Sequence, residues 1–254
     1  MPAPINTFKA ALARDAQLIG LWLGLANAYT AEIAALSGFD WLLIDGEHAP
    51  NDLRTIMEQL AVMQGYPVAA VVRPPTGDRV LIKQYLDIGV QSFLVPMVES
   101  AAQAQEIVRS VCYPPRGVRG VGASLGRASR FNAIGDYQAT ADAQICVLVQ
   151  VESRAGIAEL DGILAVDGVD GVFIGPADLA ADMGFAGDLG AAEVQAVVVD
   201  ALGRINAAGK ASGILSMDPE LLRGYRAMGV NFIAVGTDVG ALTGGLRALR
   251  AQHL

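Results

Sequence analysis

Short apolar runs alternate along the chain with longer segments in which apolar positions recur every three or four residues. Eight runs stand out, at 19–23, 41–45, 68–73, 92–95, 145–151, 171–174, 211–215 and 232–235. Most are nearly continuous hydrophobics, as expected of parallel strands buried on both faces. Helical spacing occupies 28–36, 53–63, 78–88, 101–111 and 194–207. Gly38, Gly65, Gly89 and Gly209 follow such segments, where a left-handed C-cap belongs. A strand–helix unit repeated eight times predicts an α/β protein, a (β/α)8 TIM barrel spanning residues 1–254 as one domain. The competing architecture is a doubly wound open sheet. No glycine fingerprint follows the first run to favour dinucleotide binding.

One segment breaks the rhythm. Residues 113–137 carry Arg116, Arg119, Arg127 and Arg130 among five glycines. An extended loop with a short helix wrapping the barrel accounts for it. The alternative is a lid or subunit contact whose arginines meet anionic ligands or acidic neighbours. It contains no GxGxxG, so no nucleotide is assigned to it.

Composition narrows the function. A chain of 254 residues with 53% hydrophobic and 17% charged residues is neither disordered nor fibrous. The net charge of −8 argues against a nucleic-acid or anionic-membrane partner, which requires a basic face. Cys112 and Cys146 are the only cysteines, so a disulfide framework is excluded and a reducing, cytoplasmic setting is expected. The apolar stretch at 18–28 has about eleven residues, against roughly twenty needed to span a bilayer. It also lacks the basic lead-in of a signal peptide.

Active sites of such barrels collect at the C-terminal ends of the strands. Four ends carry polar groups: Asp45-Gly46-Glu47-His48, Arg73, Gln150-Val151-Glu152 and Gly175-Pro176-Ala177-Asp178. Gln150 and Glu152 share one strand face, and Asp178 leaves the next strand. Two carboxylates from neighbouring loops suit a hard divalent cation such as Mg²⁺ or Mn²⁺. They would equally serve as helix caps or salt-bridge partners. No Cys/His set has zinc spacing. His48 stands where a general base would, and His253 reads as an ordinary surface residue. Arg73 suits an oxyanion or carboxylate clamp, or a structural pair with barrel acids. Lys9, Lys83 and Lys210 are the only lysines, and none sits at a strand end, which disfavours Schiff-base catalysis.

Six segments resemble the HpcH/HpaI aldolase family of class II, metal-dependent pyruvate aldolases. They are FDWLLIDGEHAPND (39–52), VVRPP (71–75), YLDIGVQSFLVPMVES (85–100), YPPRGVRG (113–120), VQVESRAGI (149–157) and GVFIGPADLAADMG (171–184). GILS (213–216) and FIAVGTD (232–238) agree more weakly. The resemblance implies that Glu152 and Asp178 ligate a divalent metal (Mg²⁺, Mn²⁺ or Co²⁺), with no organic cofactor. It also implies His48 as base with Asp45 and Asp87 in support, and Arg73 as stabiliser of substrate charge. Gln150, Gly175, Ala177 and Leu215 would contact substrate. Asp87 rests on the resemblance alone, since its position reads as the end of a helix.

The implied reaction is reversible cleavage of a 4-hydroxy-2-oxo acid to pyruvate, or a related 2-oxo acid, and an aldehyde through a metal-stabilised enolate. Oxaloacetate decarboxylation is an implied side activity. Alternatives are an acyl-CoA lyase of the citramalyl- or malyl-CoA type and a non-catalytic barrel binding a small acid. Gly126, Phe131 and Phe185 depart from residues common in the family and leave the aldehyde undefined. The family also implies a homo-oligomer, a hexamer built as a trimer of dimers with exchanged C-terminal helices. Leu242, Leu246 and Leu249 fit such a helix or one packed on its own barrel.

Overall fold

Eight parallel strands pair in sequence order and close on themselves: β1 (Leu18–Leu23), β2 (Trp41–Asp45), β3 (Ala69–Arg73), β4 (Ser92–Val95), β5 (Cys146–Val151), β6 (Gly171–Ile174), β7 (Ala211–Leu215) and β8 (Phe232–Thr237). The structure, a computed structural model, describes residues 1–253. The predicted (β/α)8 barrel is therefore the fold, with each run within a residue or two of its strand.

Strand parity divides the core in two. Trp22, Trp41, Leu43, Val71, Leu148, Phe173 and Phe232 fill the barrel interior. Leu42, Ile44, Val72, Val147, Val149 and Val151 point outward and pack under the helices. Continuing the inward series to the strand ends gives Asp45, Arg73 and Gln150, all buried. The same alternation that fills the core thus delivers polar groups to the barrel mouth.

The opposite end is plugged by a helix that the periodicity does not reveal, Thr7–Leu12. Its Phe8 ring lies 5.8 Å from Trp41 and 5.9 Å from Phe232. Room for these rings comes from two glycines. A Cβ on Gly20 would overlap the Trp41 indole, and one on Gly213 would overlap the Phe232 ring.

Several boundaries differ from the sequence reading. Gly38, Gly89 and Gly209 have the expected positive φ, whereas Gly65 does not; its N–H simply closes a turn onto Val62 O. The helix after β5 is broken into Arg154–Ala158 and Leu160–Leu164, too short for a visible period. Pro176–Asp182 follows β6 before the long helix Ala192–Ala207.

Residues 113–137 form turns and short 3₁₀ segments rather than a lid over this barrel's mouth. Arg119 is buried between the Tyr113 and Tyr137 rings, 4.4 and 5.6 Å from their centroids, and reaches Asp87 at 3.4 Å. Arg127 donates to Ile88 O and Gln64 Oε1. These partners lie where helices return to the strand starts, at the end opposite the mouth. The C-terminal helix Asp238–Ala251 leaves Leu242, Leu246 and Leu249 49%, 57% and 56% exposed, so it does not bury them on its own barrel.

Candidate active site

Asp45 and Arg73 are direct neighbours in the β2–β3 register. Arg73 donates bidentately to Asp45, Nε to Oδ1 at 2.9 Å and Nη2 to Oδ2 at 2.7 Å. Its Nη1 lies 2.8 Å from Glu47 Oε2, and its guanidinium carbon lies 5.3 Å from the Trp22 ring centroid. A planar guanidinium engaged on three sides has little freedom left, so its position in the mouth is fixed before any ligand arrives. Burial opposes ionisation of Asp45. The Arg73 fork and charge, helped by the N–H groups of Glu47 and His48, outweigh it and hold the carboxyl below its ordinary value.

The β2 loop is tied down from behind. Asn51 Nδ2 donates to Asp45 O at 2.8 Å, and buried Gln59 donates to Asn51 Oδ1 at 2.6 Å. His48 stands on this loop with its side chain 69% exposed, its Nε2 3.7 Å from Glu47 Oε2. The carboxylate nearest the imidazole is thus Glu47. Asp45 accepts from the backbone N–H of His48 instead.

On β5, Gln150 and Glu152 do share the inward face. Gln150 Nε2 donates to Glu152 Oε2 at 2.5 Å, and Met97 N–H donates to Glu152 Oε1 at 2.9 Å. Met97 adopts φ +55°, a conformation uncommon outside glycine and often found at functional sites. Burial pushes the Glu152 carboxyl up to about 7; the Gln150 and Met97 hydrogen bonds oppose this, while the charges of Asp178 and Glu47 add to it. Glu47 is also raised, first by burial, against the pull of Arg73 and His48. One buried acceptor beside Glu152, Gln150 Oε1, has no hydrogen-bond partner. An unpaired buried acceptor of this kind is open to a cation or a donor entering the cavity.

Gly175 ends this arrangement. A Cβ there would collide with Glu152 Oε2 and come within 3.3 Å of Gln150 Nε2. Its N–H is spent on Val151 O, so its contribution is space rather than a donor. Pro176 then opens a helix that has no side-chain cap and places exposed Asp178 in its first turn. Among the described residues no three His, Cys, Asp or Glu side chains converge on one metal position. Glu152 and Asp178 are a pair, leaving any cation there to take its other ligands from water or substrate.

A cavity of about 400 Å³ joins these groups. It is lined by His48, Arg73, Gln150, Glu152, Gly175, Ala177, Asp178 and Leu215, with Asp45 beneath Arg73. Asp87 is the exception: within this chain it does not line the cavity. It closes the helix Arg79–Asp87 at the far end of the barrel, where it meets Arg119 and not His48 of the same chain. Trp22 and Phe173 are absent from the sequence-based site, and Glu47 stands there only as a polar strand-end group without a role. Strand parity would have found the two aromatics, and Glu47 lies inside the motif that supplies His48. The Met217–Leu221 wall had no signal, because loop residues carry no period. Another strand-end carboxylate, Asp238, accepts from Gly24 and Leu25 N–H groups and ties β8 to the β1 loop instead of facing the cavity.

Fold and site together define a TIM-barrel protein with a charged cavity at the mouth of the barrel. The family model described as HpcH/HpaI aldolase/citrate lyase matches residues 18–244. A hydroxypyruvate/pyruvate aldolase of Roseovarius nubinhibens is 60% identical over 239 residues, covering 94% of this chain and 93% of that protein. A 4-hydroxy-2-oxo-heptane-1,7-dioate aldolase of Salmonella dublin is 53% identical over 247 residues, covering 97% and 94%. A crystal structure of an HpcH/HpaI aldolase/citrate lyase family protein from Burkholderia cenocepacia J2315 superposes with a TM-score of 0.94 at 40% identity, covering 98% of this chain and all of that one. The chain belongs to the HpcH/HpaI aldolase/citrate lyase family.

Proposed function

We propose that this protein is a divalent-metal-dependent aldolase that reversibly joins pyruvate, or a related 2-oxo acid such as hydroxypyruvate, to an aldehyde. The observation that carries the reading is the meeting of Glu152, Asp178, Arg73 and His48 around one cavity. Glu152 and Asp178 would hold Mg²⁺, Mn²⁺ or Co²⁺. Their hard oxygen donors, with the unpartnered Gln150 Oε1 buried beside Glu152, fit such an ion. When bound, the ion supplies the Lewis acidity that favours negative charge on the 2-oxo oxygen.

The chain's own groups do the rest. Arg73, immobilised by Asp45 and Glu47, directs a fixed positive field at the substrate oxygens without reorganising. His48, at the solvent edge, takes a methyl proton in the addition direction and returns it in cleavage, with Glu47 Oε2 beside its ring. The Ala177 N–H heads the uncapped helix and is available to the 2-oxo acid's carboxylate. Gln150 is held against Glu152, and Trp22, Phe173 and Leu215 exclude water from the cavity floor. Loss of CO₂ from oxaloacetate would use the same groups.

A homo-oligomer, a hexamer, is part of the proposal; the exposed leucines of the Asp238–Ala251 helix support it. A cytoplasmic location is supported by the two free, buried cysteines, and no described helix is long and apolar enough to cross a membrane.

The test is exchange of pyruvate methyl protons in D₂O, followed by proton NMR. Chelated protein should show no exchange, and added Mg²⁺, Mn²⁺ or Co²⁺ should restore it without any aldehyde. Absence of exchange with all three metals overturns the proposal.

A further inference from the structure

The cavity continues outward from Glu152 and Arg73 into an arm made by the loop after β7 and the loop before Ala192–Ala207. Its walls are Leu189, Leu215, Ser216, Met217, Asp218 and Leu221. In the proposed reaction the 2-oxo acid occupies the charged inner end, so this arm receives the aldehyde's substituent. Leu189 and Met217 are 38% and 67% exposed at the rim, apolar surface that an alkyl chain would cover.

The arm's charge is one-sided. Among the described residues, Arg73 and His48 are the only basic ones lining the cavity, and Arg73 is already engaged by Asp45 and Glu47. The carboxylates lining the cavity are Glu152, Asp178 and, within the arm, Asp218. The Pro219–Ala227 helix begins here, and its first N–H groups would attract an anion. Asp218 occupies that position itself: its Oδ1 accepts from Glu220 N–H at 2.8 Å and Leu221 N–H at 3.1 Å. Arg223 on the same helix is paired with Glu220. A second carboxylate entering the arm would meet a like charge, with the Ser216 hydroxyl as the one neutral side-chain donor among the arm residues named.

We propose that the acceptor arm selects uncharged aldehydes over aldehydes bearing a terminal carboxylate, with Asp218 as the specificity-determining residue. This rests on the aldolase reading above and adds the chemical class of the acceptor. The exclusion is electrostatic, so it weakens as salt screens the charge.

The experiment compares kcat/KM for butanal and 4-oxobutanoate, which share a four-carbon chain and differ in the terminal carboxylate. The metal-loaded full-length protein is used with pyruvate as donor, at low and high ionic strength. Butanal should be preferred by roughly tenfold or more at low salt, as expected for an unpaired like-charge contact. The ratio should narrow at high salt. Asp218→Asn keeps an efficient N-cap while removing the charge, and should narrow the ratio several-fold and abolish its salt dependence; Asp218→Ser serves if the asparagine variant folds poorly. Equal or better use of 4-oxobutanoate, or a ratio unmoved in both variants, overturns the inference. Methyl-proton exchange on the same samples separates the two readings. Exchange without selectivity sinks the inference alone, and no exchange sinks the aldolase reading with it.

Discussion

Glu152→Gln removes a charge from a site that is only 3% exposed while preserving side-chain size. In the native protein burial pushes this carboxyl from 4.5 to about 7. A group that binds its proton more tightly when folded contributes full stability below its unfolded value. That contribution is lost as pH rises from 4.5 to about 7. Each pKa unit corresponds to about 1.4 kcal/mol, so the full shift costs the ionised, metal-free protein on the order of 3 kcal/mol above pH 7. Glutamine does not ionise and escapes this cost. Gln150 Oε1, buried without a partner, can accept from the new amide if Gln150 turns over.

Urea unfolding of chelated samples at fixed protein concentration, followed by circular dichroism from pH 5 to pH 8, measures the difference. The variant should match the native protein near pH 5 and exceed it by roughly 2–3 kcal/mol at pH 8. Added divalent cation should then raise the stability of the native protein and leave the variant unmoved, since in the proposed site only the native protein offers both carboxylates. A stability difference that does not change with pH, or a variant less stable at pH 8, would refute the reasoning.

Arg73→Ala leaves the Asp45 carboxylate buried without its partner and should cost about 3–5 kcal/mol. Arg73→Lys, which keeps the charge and loses the fork, should cost less in unfolding experiments yet still lower the methyl-exchange rate; equal stability for the two would contradict the ion-pair account. Gly213→Ala drives a Cβ into the Phe232 ring and should destabilise by about 1–3 kcal/mol. Combining it with Phe232→Leu should recover part of the loss in a thermal melt, and no recovery would show that the clash lies elsewhere. Replacing Leu242, Leu246 and Leu249 together by glutamate should give a smaller particle in light scattering at unchanged circular dichroism; an unchanged mass would remove that helix from the assembly.

The C-terminal helix and Asp87 show where sequence reading stops. A leucine stripe at helical spacing specifies an apolar face but not what covers it, and the fold leaves that face uncovered in one chain. Asp87 sits at a helix end by its spacing, and the structure keeps it there, against Arg119 and outside the cavity that His48 lines. The resemblance that placed it beside the base was about a function, whereas position within one chain follows from topology.

The continuous apolar runs determined the barrel, because only strands covered on both faces tolerate them. The same runs located the site, since each strand ends at the mouth and parity decides which terminal residue faces inward. Asp45, Arg73, Gln150 and Glu152 follow from those two rules. Tertiary structure alone decided what these groups do to one another. The β2–β3 register sets Arg73 against Asp45, and the Met97 turn brings an N–H to Glu152. Burial lifts that carboxyl to about 7, and the loop after β7 brings Asp218 into the cavity wall. Each depends on distances between residues far apart in the chain, and no local pattern of polar and apolar positions encodes those.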